Sequence, residues 1–217
     1  MSAAVAHAGD PHHVGHGAPN EATGHGEGGP ASKRIVVAYG FWIFLLSDII
    51  MFSAFFAGYA VLARATAGGP SGAQLFEPAR VAIETALLLA SSFVCGLGGV
   101  ATQARSMVWT QVALLVTGLL GLAFLVLEIQ EFAGLVARGA GPGRSAFLSS
   151  FYALVGCHGL HVGIGLLWLG TMIAQLKVKG FRDNVLRRLL CFNLFWHALD
   201  IIWVGVFTIV YLLGMAA

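Results

Sequence analysis

Five long apolar stretches alternate with short polar breaks along the chain: Tyr39 to Ala63, Val81 to Ala104, Met107 to Phe132, Phe147 to Leu176, and Leu189 to the C-terminus. Each can cross a bilayer as a helix, which needs about 20 residues. The breaks carry turn chemistry, in Ala67-Gly-Gly-Pro-Ser-Gly72, in Gly139-Ala-Gly-Pro-Gly-Arg144 and in the basic segment Lys177 to Arg188. The join at Arg105 and Ser106 is the tightest, so the second and third helices form a hairpin. The pattern predicts an all-α integral membrane protein with five transmembrane helices in a bundle. The domain is expected over residues 35–217, with spans near 39–63, 81–104, 107–132, 147–176 and 189–214. Ahead of it, Met1 to Ser32 is polar, rich in Gly, Ala and His, and lacks the apolar centre of a cleavable secretory signal. With Lys33 and Arg34 it is expected to form a disordered tail, residues 1–34.

Composition agrees with that pattern. Of 217 residues, 58% are hydrophobic and 10% charged, against about 25% charged in soluble domains. Lys and Arg number 12 against 10 Asp and Glu, a net charge of +2, which is too weak and dispersed to bind nucleic acid. The cations are unevenly shared between the two ends of the bundle. Lys33, Arg34, Arg105, Lys177, Lys179, Arg182, Arg187 and Arg188 lie on the N-terminal side, and Arg64, Arg80, Arg138 and Arg144 on the other. The positive-inside bias then puts the N-terminus in the cytoplasm and the C-terminus in the periplasm. Tyr39, Trp42, Trp109, Trp168 and Tyr211 near segment ends fit interfacial anchoring. Cys95, Cys157 and Cys191 have apolar neighbours and no useful spacing, and read as small buried hydrophobes.

An ionisable side chain within hydrocarbon costs several kcal/mol unless it faces protein or water. Asp48, Glu84, Glu128, Glu131, His158, His161, His197 and Asp200 are therefore the candidates for chemistry, lipid contact or structural bonding. At about 1.5 Å per residue, Asp48, His161, His197 and Asp200 reach similar depths and could meet in one layer; Glu84, Glu128 and Glu131 lie toward the opposite end. His158 and His161 share a helical face, as do His197 and Asp200. Neighbours on one face cannot straddle a haem ring. A mononuclear site from His158, His161, His197 and Asp200 is sterically open, and interhelical hydrogen bonds are the blander role. Gly156, Gly159 and Gly163 line one helix face and suit close helix packing. The tail histidines His7, His12, His13, His16 and His25 could hold a metal loosely, although a solvated tail explains them as well. The Gly-rich loops lack a phosphate-loop GK[ST], no HExxH occurs, and no Ser or Cys nucleophile has a His and carboxylate at hand. The residues thus leave open an independent proton channel or transporter using Asp48, His161, His197 and Asp200, and a small membrane metalloprotein.

Three segments resemble a known family: Gly40-Phe-Trp-Ile-Phe-Leu-Leu-Ser-Asp48, Gly156-Cys-His-Gly-Leu-His-Val162, and Phe195-Trp-His-Ala-Leu-Asp-Ile-Ile-Trp203. They are similar to subunit III of the haem-copper oxidases. Ala67 to Gly72, the Glu84-Thr-Ala-Leu-Leu-Leu stretch and Gly141 to Leu148 bring the resemblance closest to the cytochrome bo-type ubiquinol oxidases. The resemblance implies an accessory subunit of the bacterial inner membrane, without catalytic residues, cofactor or metal of its own. Its implied partners are subunits I, II and IV together with membrane lipids, subunit I holding the haems and copper. Quinol oxidation, dioxygen reduction and proton pumping would then be activities of the complex. Asp48 falls where that family often has an intramembrane glutamate, and the five helices correspond to the last five of seven in respiratory cytochrome c oxidases.

Overall fold

The computed structural model describes residues 32–216. In hydrocarbon a spanning chain has to satisfy its own backbone hydrogen bonds, and this one does so with five long helices: α1 (Lys33–Leu62), α3 (Pro78–Gln103), α4 (Met107–Ala137), α5 (Ala146–Lys179) and α6 (Asp183–Val206). Short α2 (Gly72–Leu75) lies between the first two, and a π-helical segment, Phe207–Leu212, leads from α6 to α7 (Leu213–Ala216). The helices overrun the apolar stretches at several ends. Lys33 and Arg34 belong to α1, and α6 begins at Asp183, because Lys and Arg are good helix formers whose long stems let the charge leave the hydrocarbon.

Four helices form a ring in which α3 packs on α4, α4 on α5, α5 on α6 and α6 on α3. Helix α1 lies outside it, across α5 and α6. Aromatic side chains fill the centre: Phe124, Phe192, Trp196 and Trp203 are all buried. Trp196 fits a notch opened by two glycines, since a Cβ on Gly121 would stand 2.8 Å from its ring and one on Gly165 2.9 Å. Polar bonds pin α6 to α3. Trp196 Nε1 donates to Ser91 Oγ at 3.0 Å, Trp203 Nε1 to Thr85 Oγ1 at 3.1 Å, and Asn193 Nδ2 to the Cys95 carbonyl at 3.1 Å. The tight join of α3 and α4 is the hairpin expected from Arg105 and Ser106.

Two helix ends use one closing device with different residues. After α4, Ala140 N donates to Leu135 O and Gly139 N to Val136 O, with Gly139 at φ +77°. After α3, Ser106 N donates to Ala101 O and Arg105 N to Thr102 O, with Arg105 at φ +53°. This paired-bond cap wants a left-handed residue, normally glycine, and a side chain there costs about 1–2 kcal/mol. The π-helical segment has its own bond: Tyr59 Oη donates to the Val210 carbonyl at 3.2 Å. Tyr211, expected at the membrane interface, is instead fully buried, because the wider π turn aims it into the bundle. Trp168 is also partly buried, among Phe41, Phe192 and Phe195, whereas Tyr39, Trp42 and Trp109 are exposed. Cys95 and Cys191 are buried, but Cys157 is only partly so. The tail histidines lie outside the described residues.

Candidate functional site

The candidates fall into two groups. Toward the Arg80 end, Glu84 of α3 and Glu128 and Glu131 of α4 are buried. Arg80 lies one turn before Glu84 on α3, and its Nε donates to Glu84 Oε1 at 3.4 Å. A second guanidinium nitrogen donates to the Leu127 carbonyl at 2.8 Å, tying α3 to α4. Tyr211 completes the group, its hydroxyl donating to Glu131 Oε2 at 3.1 Å. Glu84 Oε2 and both carboxyl oxygens of Glu128 have no hydrogen-bond partner among the described residues. Of these groups, the Arg80–Glu84 pair was open to sequence reasoning through its i, i+4 spacing. Tyr211 was not, since its direction depends on the π turn.

Among the described residues no hydrogen bond or ion pair joins Asp48, His161, His197 and Asp200 to one another. His161 Nδ1 lies 2.7 Å from the Cys157 carbonyl and His197 Nδ1 2.8 Å from the Asn193 carbonyl, so each bonds its own helix rather than a neighbouring one. The His161 ring stands 5.2 Å from Phe52 of α1, whereas His197 faces Gly96 of α3. The rotations of α5 and α6 therefore point these histidines to different neighbours. His158 is fully buried among Phe52, Phe124 and Trp203, with neither ring nitrogen bonded. Asp200 is half-buried and its Oδ1 is unpartnered. Asp48 is half-buried too, and Arg80–Glu84 is the one ion pair among the described residues, so Asp48 pairs with neither His161 nor His197 there. No group of three His, Cys, Asp or Glu side chains among the described residues is placed to hold a metal ion. The mononuclear set His158, His161, His197 and Asp200 does not assemble.

Gly156, Gly159 and Gly163 face α4 in order. A Cβ on each would stand 3.5 Å from Phe132, 2.8 Å from Glu128 Oε1 and 3.8 Å from Leu125. The three glycines also line an outward-opening groove of about 470 Å³ with Ile129, Leu160 and Leu167. The face thus admits the carboxyl of Glu128 into the helix interface. The interhelical bonds come instead from Trp196, Trp203 and Asn193 of α6 to α3 and from Arg80 of α3 to α4.

Residues 14–215 match the family model described as cytochrome c oxidase subunit III. The chain is 47% identical, over 99% of both sequences, to a Pseudomonas aeruginosa protein named cytochrome bo(3) ubiquinol oxidase subunit 3. It is 42% identical to the quinol oxidase subunit 3 of Bacillus subtilis, over 81% of this chain and 86% of that protein. A Bacillus sp. protein named cytochrome c oxidase subunit 3 is 40% identical over 81% of this chain and 85% of its own length.

Proposed function

The chain belongs to the cytochrome c oxidase subunit III family, and from that premise we propose that it is the accessory subunit III of a bacterial cytochrome bo-type ubiquinol oxidase. The observation that carries this reading is the 47% identity over nearly the full length of both proteins. The complex oxidises quinol, reduces dioxygen to water and pumps protons; this chain supports its assembly, stability and sustained turnover. Haem and copper reside in subunit I, and subunits I, II and IV with membrane lipid are its neighbours. The proposed location is the bacterial inner membrane, with the N-terminus cytoplasmic and the C-terminus periplasmic, on the uneven distribution of Lys and Arg.

Two features of the structure support a structural role. Trp196, Trp203 and Asn193 of α6 bond α3, and Arg80 and Ser91 of α3 bond carbonyls of α4, and the outward faces are apolar and broad, as in Ile35 to Val37 and Trp42 to Phe44. A relay through Asp48, His161, His197 and Asp200 would need them linked, and among the described residues no hydrogen bond or ion pair joins any two of them. The deciding experiment is purification through a tag on the full chain from native membranes. Haem-bearing subunits should co-purify, and the chain released from them should show no Soret band. Purification of the intact chain free of any haem protein would overturn the reading.

A further inference from the structure

His197 and Asp200 take no part in the bonds by which Asn193, Trp196 and Trp203 hold α6 to α3, although both lie near the middle of the 33-residue span Asp183–Met215. Both are half-buried, and a polar group at that depth is costly unless it meets protein or water. Their outward neighbours are apolar. One turn on from His197 stands Ile201, 73% exposed, with Val204 beyond it, and across the seam between the two helices Phe93, Leu97 and Val100 of α3 are exposed as well. Gly96 opens a recess among them. A Cβ there would stand 3.6 Å from His197 Nε2, and no other atom outside its own helix lies within 4 Å of that point.

The geometry also places the proton on the ring. Nδ1 lies 2.8 Å from the Asn193 carbonyl, and because a carbonyl only accepts, Nδ1 carries the hydrogen and donates it. Nε2 is left as an acceptor, and no donor bonds it among the described residues. Asp200 stands three residues further on the same flank, and its Oδ1 is equally without a partner. What this seam lacks is a donor. A phospholipid keeps its donors in the headgroup and offers hydrocarbon at mid-depth. A water molecule needs several polar partners, which the surrounding leucine, valine, isoleucine and phenylalanine do not supply. A helix of another protein carries a donor to this depth, and small residues such as Gly96 are what lets spanning helices approach closely. His161 has no such opening, since the Phe52 ring of α1 stands 5.2 Å from its own.

We propose that the outward seam of α3 and α6, Phe93 to Val100 and His197 to Val204, is the docking surface for a transmembrane helix of a partner subunit, which places a hydroxyl, carboxamide or indole donor on His197 Nε2. The inference rests on the reading of this chain as an oxidase subunit and names the face by which it joins the complex.

The test uses the full chain with a C-terminal tag in native membranes. The photo-crosslinker benzoylphenylalanine replaces Leu97 or Ile201 on the seam, or Leu122 of α4 or Leu167 of α5 on other exposed faces, and the adducts are identified by mass spectrometry. Positions 97 and 201 should both capture a spanning segment of the haem-bearing complex, and positions 122 and 167 should not. Adducts of 97 and 201 with lipid alone, or with a second copy of this chain, would overturn the inference, as would capture of the complex from 122 or 167 alone. A second measurement reads the bond itself. His197→Leu should leave accumulation in the membrane unchanged, since the Nδ1 bond lies within α6, yet the variant should leave the complex about threefold more readily as detergent is raised, the equivalent of one interhelical hydrogen bond. His197→Gln, whose carboxamide oxygen can stand in for Nε2, should recover most of the retention. Undiminished retention of His197→Leu would overturn the assigned contact. Purification of the wild-type chain free of any haem protein would overturn the oxidase reading and this inference with it, whereas normal co-purification without cross-links from 97 and 201 would overturn this inference alone.

Discussion

Gly165→Ala is a small substitution with a large expected effect, because of where Trp196 lies. The added methyl would stand 2.9 Å from Trp196 Cζ3 and 3.1 Å from Phe195 Cε1, whereas carbon atoms rest at about 3.5–4.0 Å. The indole has to yield by about 0.6 Å or more. It cannot retreat toward α4, where the Gly121 backbone already meets its ring, and its Nε1 is bonded to Ser91 Oγ. Overpacking of this kind costs about 1–3 kcal/mol, and in a chain of this length each kcal/mol lowers a thermal midpoint by about 2–4 °C. Gly121→Ala should cost a similar amount from the opposite side. Trp196→Phe removes the ring atoms that meet both glycines, at the expense of its own packing and of the bond to Ser91. In that background Gly165→Ala should cost about 1 kcal/mol less than in the wild type, a coupling typical of residues in contact. The assay is the midpoint of heat-induced loss of the monodisperse peak in mild detergent, for the wild type, both single variants and the double variant. Additive midpoints across the cycle would refute the reasoning, because they would mean that Trp196 does not occupy the glycine notch.

Tyr211→Phe should lower the same midpoint by the equivalent of about 1–3 kcal/mol, since Glu131 Oε2 loses its buried donor; an unchanged midpoint would place the phenol elsewhere. Gly159→Leu should reduce the amount of chain retained in membranes, because even a Cβ would lie 2.8 Å from Glu128 Oε1, and Glu128→Ala in the same chain should restore part of it. Asp48→Asn and Asp48→Leu should leave the midpoint of the isolated chain unchanged, as no ion-pair partner is lost among the described residues, while Leu should be the worse for retention in the complex. Initial oxygen consumption should persist in both, and its absence from a fully assembled Asp48→Asn complex would make Asp48 a direct participant. A reporter active only outside the cytoplasm should be active after Ala217 and silent at Gly180; the reverse pattern would invert the proposed orientation.

What the sequence made legible follows the range of the forces involved. Spanning helices depend on uninterrupted apolar length, which is local, so five of them could be read directly from the runs beginning at Tyr39, Val81, Met107, Phe147 and Leu189. Shared faces such as His158 with His161 depend only on helical spacing and were equally readable. Which residues meet between helices depends on the rotation of each helix about its axis. That rotation is set by side chains lodging in gaps far away in sequence. Trp196 of α6 seats between Gly121 of α4 and Gly165 of α5, and with α5 and α6 so turned, His197 faces Gly96 of α3 while His161 looks toward Phe52 of α1. No periodicity in α5 or α6 alone carries that information. The Tyr211 hydroxyl is a further step removed, since it reaches Glu131 only through a π turn whose Val210 carbonyl is bonded by Tyr59.

Arg105 and Gly139 show the same boundary from the opposite direction. Glycine past the end of α4 announces its cap in advance, because the left-handed position costs glycine nothing. Arginine past the end of α3 announces no such turn, yet the two ends close with the same pair of backbone bonds. The hairpin after Gln103 leaves only Ala104, Arg105 and Ser106 between α3 and α4. The geometry of the α3–α4 pair therefore imposes the positive φ on whatever residue stands at 105. Closing the turn accounts for the conformation but not for the residue, which glycine would fill at lower cost.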